Sequence, residues 1–229
     1  GWPAVRYNMG MKGHFSTRLF HYTAREEFAN RWTHIPALVI FVAGACPLIV
    51  RAAESGDPYR IVSASIFAVL LSCFYLISSL YHSLKKPSLR YLFRVLDHGG
   101  IFLLIAGTYT PFTLVTLRGP WGWTLFGVVW SGAIIGLIYK CLAPHKLKIV
   151  MPLLYLLLGW IIVVALKPLR TALPAAGIFW LFAGGISYSL GLIFYAAARL
   201  PYNHAIWHLF VLFGSLSHYL CILWYVIPI

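Results

Sequence analysis

His204 and His208 stand four residues apart in an apolar stretch near the end of the chain. On a helix that spacing puts both imidazoles on one face, so the pair can grip a single metal ion. His82 closes another apolar stretch and supplies a third imidazole. Three protein ligands with one position left for water describe a catalytic zinc site, whereas structural zinc sites are normally closed by four. Asp97 opens a third apolar stretch, placed to hold or deprotonate that water, whose pKa zinc lowers to about 7. Ser78 lies one helical turn before His82 on the same side, where its hydroxyl can bind an oxyanion or orient a ligand. Charged or metal-ligating residues in apolar spans are costly and point to function by default. An HxxxH pair alone is a weak zinc signal, and an isolated interfacial histidine usually hydrogen-bonds or snorkels. The pair gains weight only if topology brings His82 and Asp97 to its depth.

The elements that would do so are legible in the composition. The chain has 229 residues, 61% hydrophobic and 10% charged, with mean hydropathy +0.81. A soluble domain carries more charge than this. About 20 mostly apolar residues cross a bilayer as a helix, and seven such stretches occupy 33–50, 61–81, 95–117, 121–141, 149–166, 175–198 and 203–227. The expected fold is therefore all-α, a polytopic bundle of seven transmembrane helices at 33–229, preceded by a cytoplasmic segment at 1–32. Short connections, with breakers such as Gly56-Asp57-Pro58 and Arg118-Gly119-Pro120, force antiparallel neighbours. The polar, basic beginning of the chain lacks the pattern of a cleavable signal peptide.

Net charge is +13. In a soluble protein that would suggest nucleic acid, but here the basic residues flank the spans, and no nucleic-acid partner is expected. With the N-terminus inside, Arg51, Arg60, Arg118, Lys167 and Arg170 fall outside and the other thirteen of the 18 Lys and Arg residues fall inside. That asymmetry satisfies the positive-inside rule and puts the C-terminus outside. Anionic headgroups suit the inner basic residues. His82, Asp97, His204 and His208 then share one layer at the inner face.

The other polar residues have plainer expectations. Thr23 and Glu26 have capping-box spacing, and Glu26, Asn30 and His34 follow at intervals of four. They form either a solvated turn or a polar lid beneath the histidines. Pro36 suggests a bend, and Asn203 an N-cap that keeps His204 neutral. His98 points about 100° away from Asp97 and is set aside. His218 is some 15 Å deeper than His208 and is expected as packing or pocket wall. His14, His21 and His145 are expected at the surface. Cys46, Cys73, Cys141 and Cys221 occur singly, without a CxxC pair, as packing residues rather than a disulfide or thiolate site. Gly132, Gly136, Gly184, Gly185 and Gly191 are expected to let helices approach closely.

The segments EEFANRWTH (26–34), SSLYHS (78–83), LDHGGIFLLIAGTYTP (96–111) and PYNHAIWHLFVLFGSLSHY (201–219) resemble the hemolysin III branch of the progestin and adiponectin receptor family. The resemblance covers nearly the whole chain. It implies seven transmembrane helices with a cytoplasmic amino terminus and zinc bound by His82, His204 and His208, with Asp97 and Ser78 beside it. It also implies kinship with alkaline ceramidases, which cleave a lipid amide, and with adiponectin receptors, whose long soluble amino-terminal region has no counterpart in this sequence. Bacterial members are named hemolysins and are associated with membrane lipid homeostasis. Three functions are thus in view. The first is a zinc-dependent hydrolase of a lipid amide or ester bond in the cell membrane, of the bacterial inner-membrane kind, with its substrate inside the bundle. The others are a non-enzymatic membrane sensor with structural zinc, and a pore-forming cytolysin. Oligomeric state is left open.

Overall fold

Among the described residues of the computed structural model, seven helices are long and apolar enough to cross a membrane. They are α1 (Ala24–Glu54), α2 (Pro58–Ser83), α3 (Pro87–Thr116), α4 (Pro120–Leu142), α5 (Val150–Ala172), α6 (Ala175–Ala196) and α7 (Asn203–Val226). The structure describes residues 22–143 and 150–228. The expectations for His14, His21, His145 and the 144–148 connection fall outside these residues, as does the chain end at Ile229.

Local chemistry explains where the helices begin. Thr23 caps α1 in a full capping box: its hydroxyl accepts from the Glu26 amide at 3.2 Å, and the Glu26 carboxylate accepts from the Thr23 amide at 2.8 Å. Asp57 caps α2, and Pro58 occupies the first turn, where a missing N–H costs nothing. Proline also opens α3 and α4. Pro36 does not end α1, which continues through it and through Pro47 for 31 residues.

In the bundle, α1 packs on α2, α2 on α3, α3 on α4 and α6 on α7, while α7 returns to lie against α1. The central helix is α3, 67% buried along its apolar window, against 17–28% for α4, α5 and α6. Those outer helices present large apolar side chains such as Ile135, Leu157, Val164 and Phe179. Such a surface suits acyl chains, which are as apolar as the side chains themselves. Close helix approach depends on glycine at several crossings. A Cβ at Gly136 would sit 2.4 Å from the Phe102 ring, and one at Gly184 would sit 2.3 Å from His218. Gly185 meets only ordinary contacts.

α5 is interrupted by a 3₁₀ stretch, Ile161–Ala165. The Tyr109 hydroxyl of α3 is inserted there, donating to the Gly159 carbonyl at 2.7 Å and accepting from the Ile162 amide at 3.0 Å. A side chain entering the helical ladder is a recognised cause of such a break.

Candidate metal centre

His82 in the last turn of α2 meets His204 and His208 in the first turns of α7. One ligating atom from each lies within 4.8 Å of the others, and all three residues are buried. The ring centroids are 5.2 Å apart for His82 and His204, 5.0 Å for His82 and His208, and 4.3 Å for His204 and His208. The spacing of four within α7 makes one contact; antiparallel packing makes the other two.

Each ring is turned so that a nitrogen is left for a ligand. His82 Nδ1 is 2.8 Å from Glu27 Oε2, and Glu27 in turn pairs with Arg90. A carboxylate can only accept here, so His82 carries its proton on Nδ1, and Nε2, buried without a hydrogen-bond partner, keeps its lone pair. His208 Nδ1 is 2.9 Å from Thr33 Oγ1 and 3.2 Å from the Asn30 carbonyl. Because the Thr33 hydroxyl donates to that carbonyl at 2.8 Å, it accepts from His208, which again leaves Nε2 for a ligand. His204 has no hydrogen-bond partner at either nitrogen; the Tyr22 ring stacks on it at 5.0 Å. Outer partners that fix tautomer and ring orientation in this way accompany metal-binding histidines generally.

Asp97 and Ser78 line a cavity of about 420 Å³, counting its open side, that also reaches His34, His98, His204 and His208. Asp97 is 7% exposed and Ser78 fully buried, with the Ser78 hydroxyl directed at the Asp97 carboxylate. Orphaned polar atoms gather here: both nitrogens of His34 and of His204, Nε2 of His82 and the Asn30 amide. Buried polar groups are ordinarily satisfied, and each exception calls for an explanation. Three unpartnered or ligand-facing imidazole nitrogens beside a carboxylate fit a zinc ion, which takes neutral histidine nitrogen and leaves a position open for water.

The polar face of α1 belongs to this site, with one correction. Asn30 and His34 are buried beneath the histidines, and the His34 ring lies 3.7 Å from that of His208. Glu26 is instead engaged at the helix ends, capping α1 and accepting from the Tyr202 amide at 3.2 Å. The residue that reaches His82 is Glu27, which, like Thr33, is not among the sequence candidates. A signal is present in the spacing, since Glu27, Asn30 and His34 are separated by three and four and share a face.

Two further readings change. Asn203 is the first residue of α7 rather than its cap, which is Tyr202 in a left-handed conformation at φ 57°. The Asn203 amide donates backward to the Phe194 and Tyr195 carbonyls at 3.3 and 3.4 Å, closing the end of α6. His98 is not turned away from the site. It lines the cavity because α3 is surrounded by other helices, so a rotation of 100° still faces the interior. Its Nδ1 is held by the Arg94 carbonyl at 2.8 Å. His218, as expected, is a wall residue of a second, deeper cavity. Cys46, Cys73 and Cys141 are exposed, and the buried Cys221 thiol donates to the Gly177 carbonyl, so no thiolate joins the cluster.

Seven apolar helices around a buried histidine cluster define a multi-pass helical membrane protein with a candidate metal centre. The model of the family described as Haemolysin-III related matches residues 22–219, and the chain belongs to that family. It is 45% identical to "Hemolysin-3" of Bacillus cereus over 89% of this chain and 93% of that one. It is 40% identical to "Hemolysin-3 homolog" of Bacillus subtilis (strain 168), over 91% and 98%. Similarity extends to the human "Monocyte to macrophage differentiation factor", 30% identical over 87% and 84%. No solved structure matches the chain.

Proposed function

We propose that the protein is a zinc-dependent hydrolase of a lipid amide or ester bond, working within the cell membrane and contributing to lipid homeostasis. The observation that carries this reading is the cluster of ligand-ready nitrogens on His82, His204 and His208, of which His204 and His208 line a cavity together with Asp97 and Ser78. Zinc, when bound, polarises a carbonyl and lets water act as nucleophile near neutral pH. The chain's own residues do the rest. Glu27, Thr33 and the Asn30 carbonyl hold two of the three rings in the ligating tautomer. Asp97 takes a proton from the attacking water and returns it to the leaving amine or alcohol as the carbonyl–heteroatom bond breaks. The Ser78 hydroxyl donates to the oxygen that gains charge. The substrate's chain occupies a mostly apolar cavity of about 970 Å³, counting its open side, whose wall shares Phe74, Ile101, Tyr155, Leu192 and Trp207 with the site. The bacterial origin of two relatives supports a bacterial cell membrane as the location.

The test is zinc analysis of the purified protein together with fatty acid release from ceramide-like lipids and phospholipids. About one zinc per chain, with release that a chelator abolishes, is the expected result. Zinc-loaded protein that releases nothing from any lipid would leave a non-enzymatic membrane regulator. Dye leakage from vesicles made of those lipids tests the lytic activity that the two relatives' names denote.

A further inference from the structure

The deeper cavity carries one unexplained polar atom. Most of its wall is aliphatic or aromatic, contributed by α2, α3, α5, α6 and α7. The hydroxyls on that wall are already engaged. Thr108 donates to the Leu104 carbonyl, Tyr109 to Gly159, Tyr155 to His98 and Ser189 to Gly185, while Tyr188 pairs with Ser215. Among the described residues, Nδ1 of His218 is the buried side-chain nitrogen or oxygen, in a residue lining this cavity, that has no partner.

The orientation of that ring follows from its other edge. His218 Nε2 lies 3.0 Å from the Leu181 carbonyl, and a Cβ at Gly184 would strike Nε2 and Cδ2 at 2.3 and 2.4 Å. The Nε2 edge is therefore pressed against α6, and Nδ1 is on the opposite side of the ring. A carbonyl only accepts, so the proton is on Nε2, and a neutral ring offers a lone pair at Nδ1. An acceptor left unmet in an apolar wall is costly. A ligand that supplies one donor removes that cost, and an aliphatic chain supplies one most simply as a hydroxyl.

We propose that this cavity selects an aliphatic chain bearing a hydroxyl well below its reactive end, and that His218 Nδ1 accepts the hydrogen bond from that hydroxyl. Along α7, His218 is ten residues beyond His208, about 15 Å at the helical rise, so the recognised hydroxyl belongs to the chain and not to the headgroup at the histidine cluster. The inference rests on the lipid-binding part of the proposed function and not on zinc or turnover, so binding alone tests it.

Purified protein in micelles is offered an equal mixture of stearate and a stearate hydroxylated at mid-chain, and the bound acids are measured by mass spectrometry against the protein-free micelles. The hydroxylated acid should be enriched about fivefold, the worth of one net hydrogen bond. His218→Leu should still bind stearate, which reports an intact cavity, and should lose the enrichment. Equal binding of the two acids by the wild type, enrichment that survives in His218→Leu, or no acid bound above the micelle background would each overturn the proposal. Failure of the zinc hydrolase reading would show instead as absent metal or absent release, with this selectivity unchanged.

Discussion

At the scale of single residues, the candidate site shows a division of labour between the two nitrogens on two of its three rings. His82 and His208 spend Nδ1 on α1 partners and keep Nε2 for a ligand. Removing an α1 partner should therefore weaken metal binding without removing a ligand. Glu27→Gln should lower zinc affinity by roughly 10–100-fold, the usual effect of losing an outer hydrogen-bond partner, as read by competition with a metal-sensitive dye. His204→Ala and His208→Ala should lose most of the zinc and melt at lower temperature, since bound metal stabilises the folded state; Cys141→Ala should do neither. Full zinc occupancy in a double His204/His208 variant would refute the assignment. Asp97→Asn keeps the side-chain shape but cannot take a proton. Hydrolysis should fall by about 10²–10⁴-fold, the range for a positioned acid–base group, with zinc largely retained. Undiminished release by the zinc-loaded variant would exclude Asp97 from the chemistry.

At the scale of elements, α3 is the helix on which the others are arranged. It places Asp97 and His98 in the metal-centre cavity from its third and fourth turns, lines the deep cavity farther along and inserts Tyr109 into the break of α5. Its approach to α4 is possible because Gly136 leaves room for the Phe102 ring. Gly136→Val should force the two helices apart at a cost of about 1–3 kcal/mol, as overpacking generally does, visible as a lower Tm in detergent. Gly127, on the same helix but facing open space, is the natural control. Gly127→Ala should not lower Tm, and a drop equal to that of Gly136→Val would show that glycine matters here for some reason other than helix contact.

At the scale of the whole molecule, antiparallel packing puts the end of α2, the third turn of α3 and the start of α7 in one layer, which is why His82, Asp97 and the α7 pair meet. From the charge asymmetry, that layer is expected at the cytoplasmic face. In a variant with the four native cysteines replaced, single cysteines at Ser55 and Arg170 should react with an impermeant reagent added to intact cells. Cysteines at Lys85 and Arg199 should react only after permeabilisation. The opposite pattern would place the site at the outer face and with it the source of water and the exit of a polar product.

Much of this architecture is legible in the amino-acid sequence alone. Seven apolar runs set the helix number because the bilayer prescribes their length. The capping box at Thr23 sets the start of α1 because it involves only neighbouring residues. The spacing of His204 and His208 sets a shared face because helical period is local, and topology carries His82, Asp97 and Ser78 to the same depth. Rotation about each helix axis is not legible in this way. In these spans nearly every face is apolar, so hydrophobic patterning does not say which face turns inward. That is why the pattern favours Glu26 over Glu27, and why the angle between His98 and Asp97 misleads. The role of Asn203 at the end of α6, the insertion of Tyr109 into α5 and the unpartnered Nδ1 of His218 likewise arise between helices. Only the tertiary packing decides them, because it fixes which side chains face one another across the bundle.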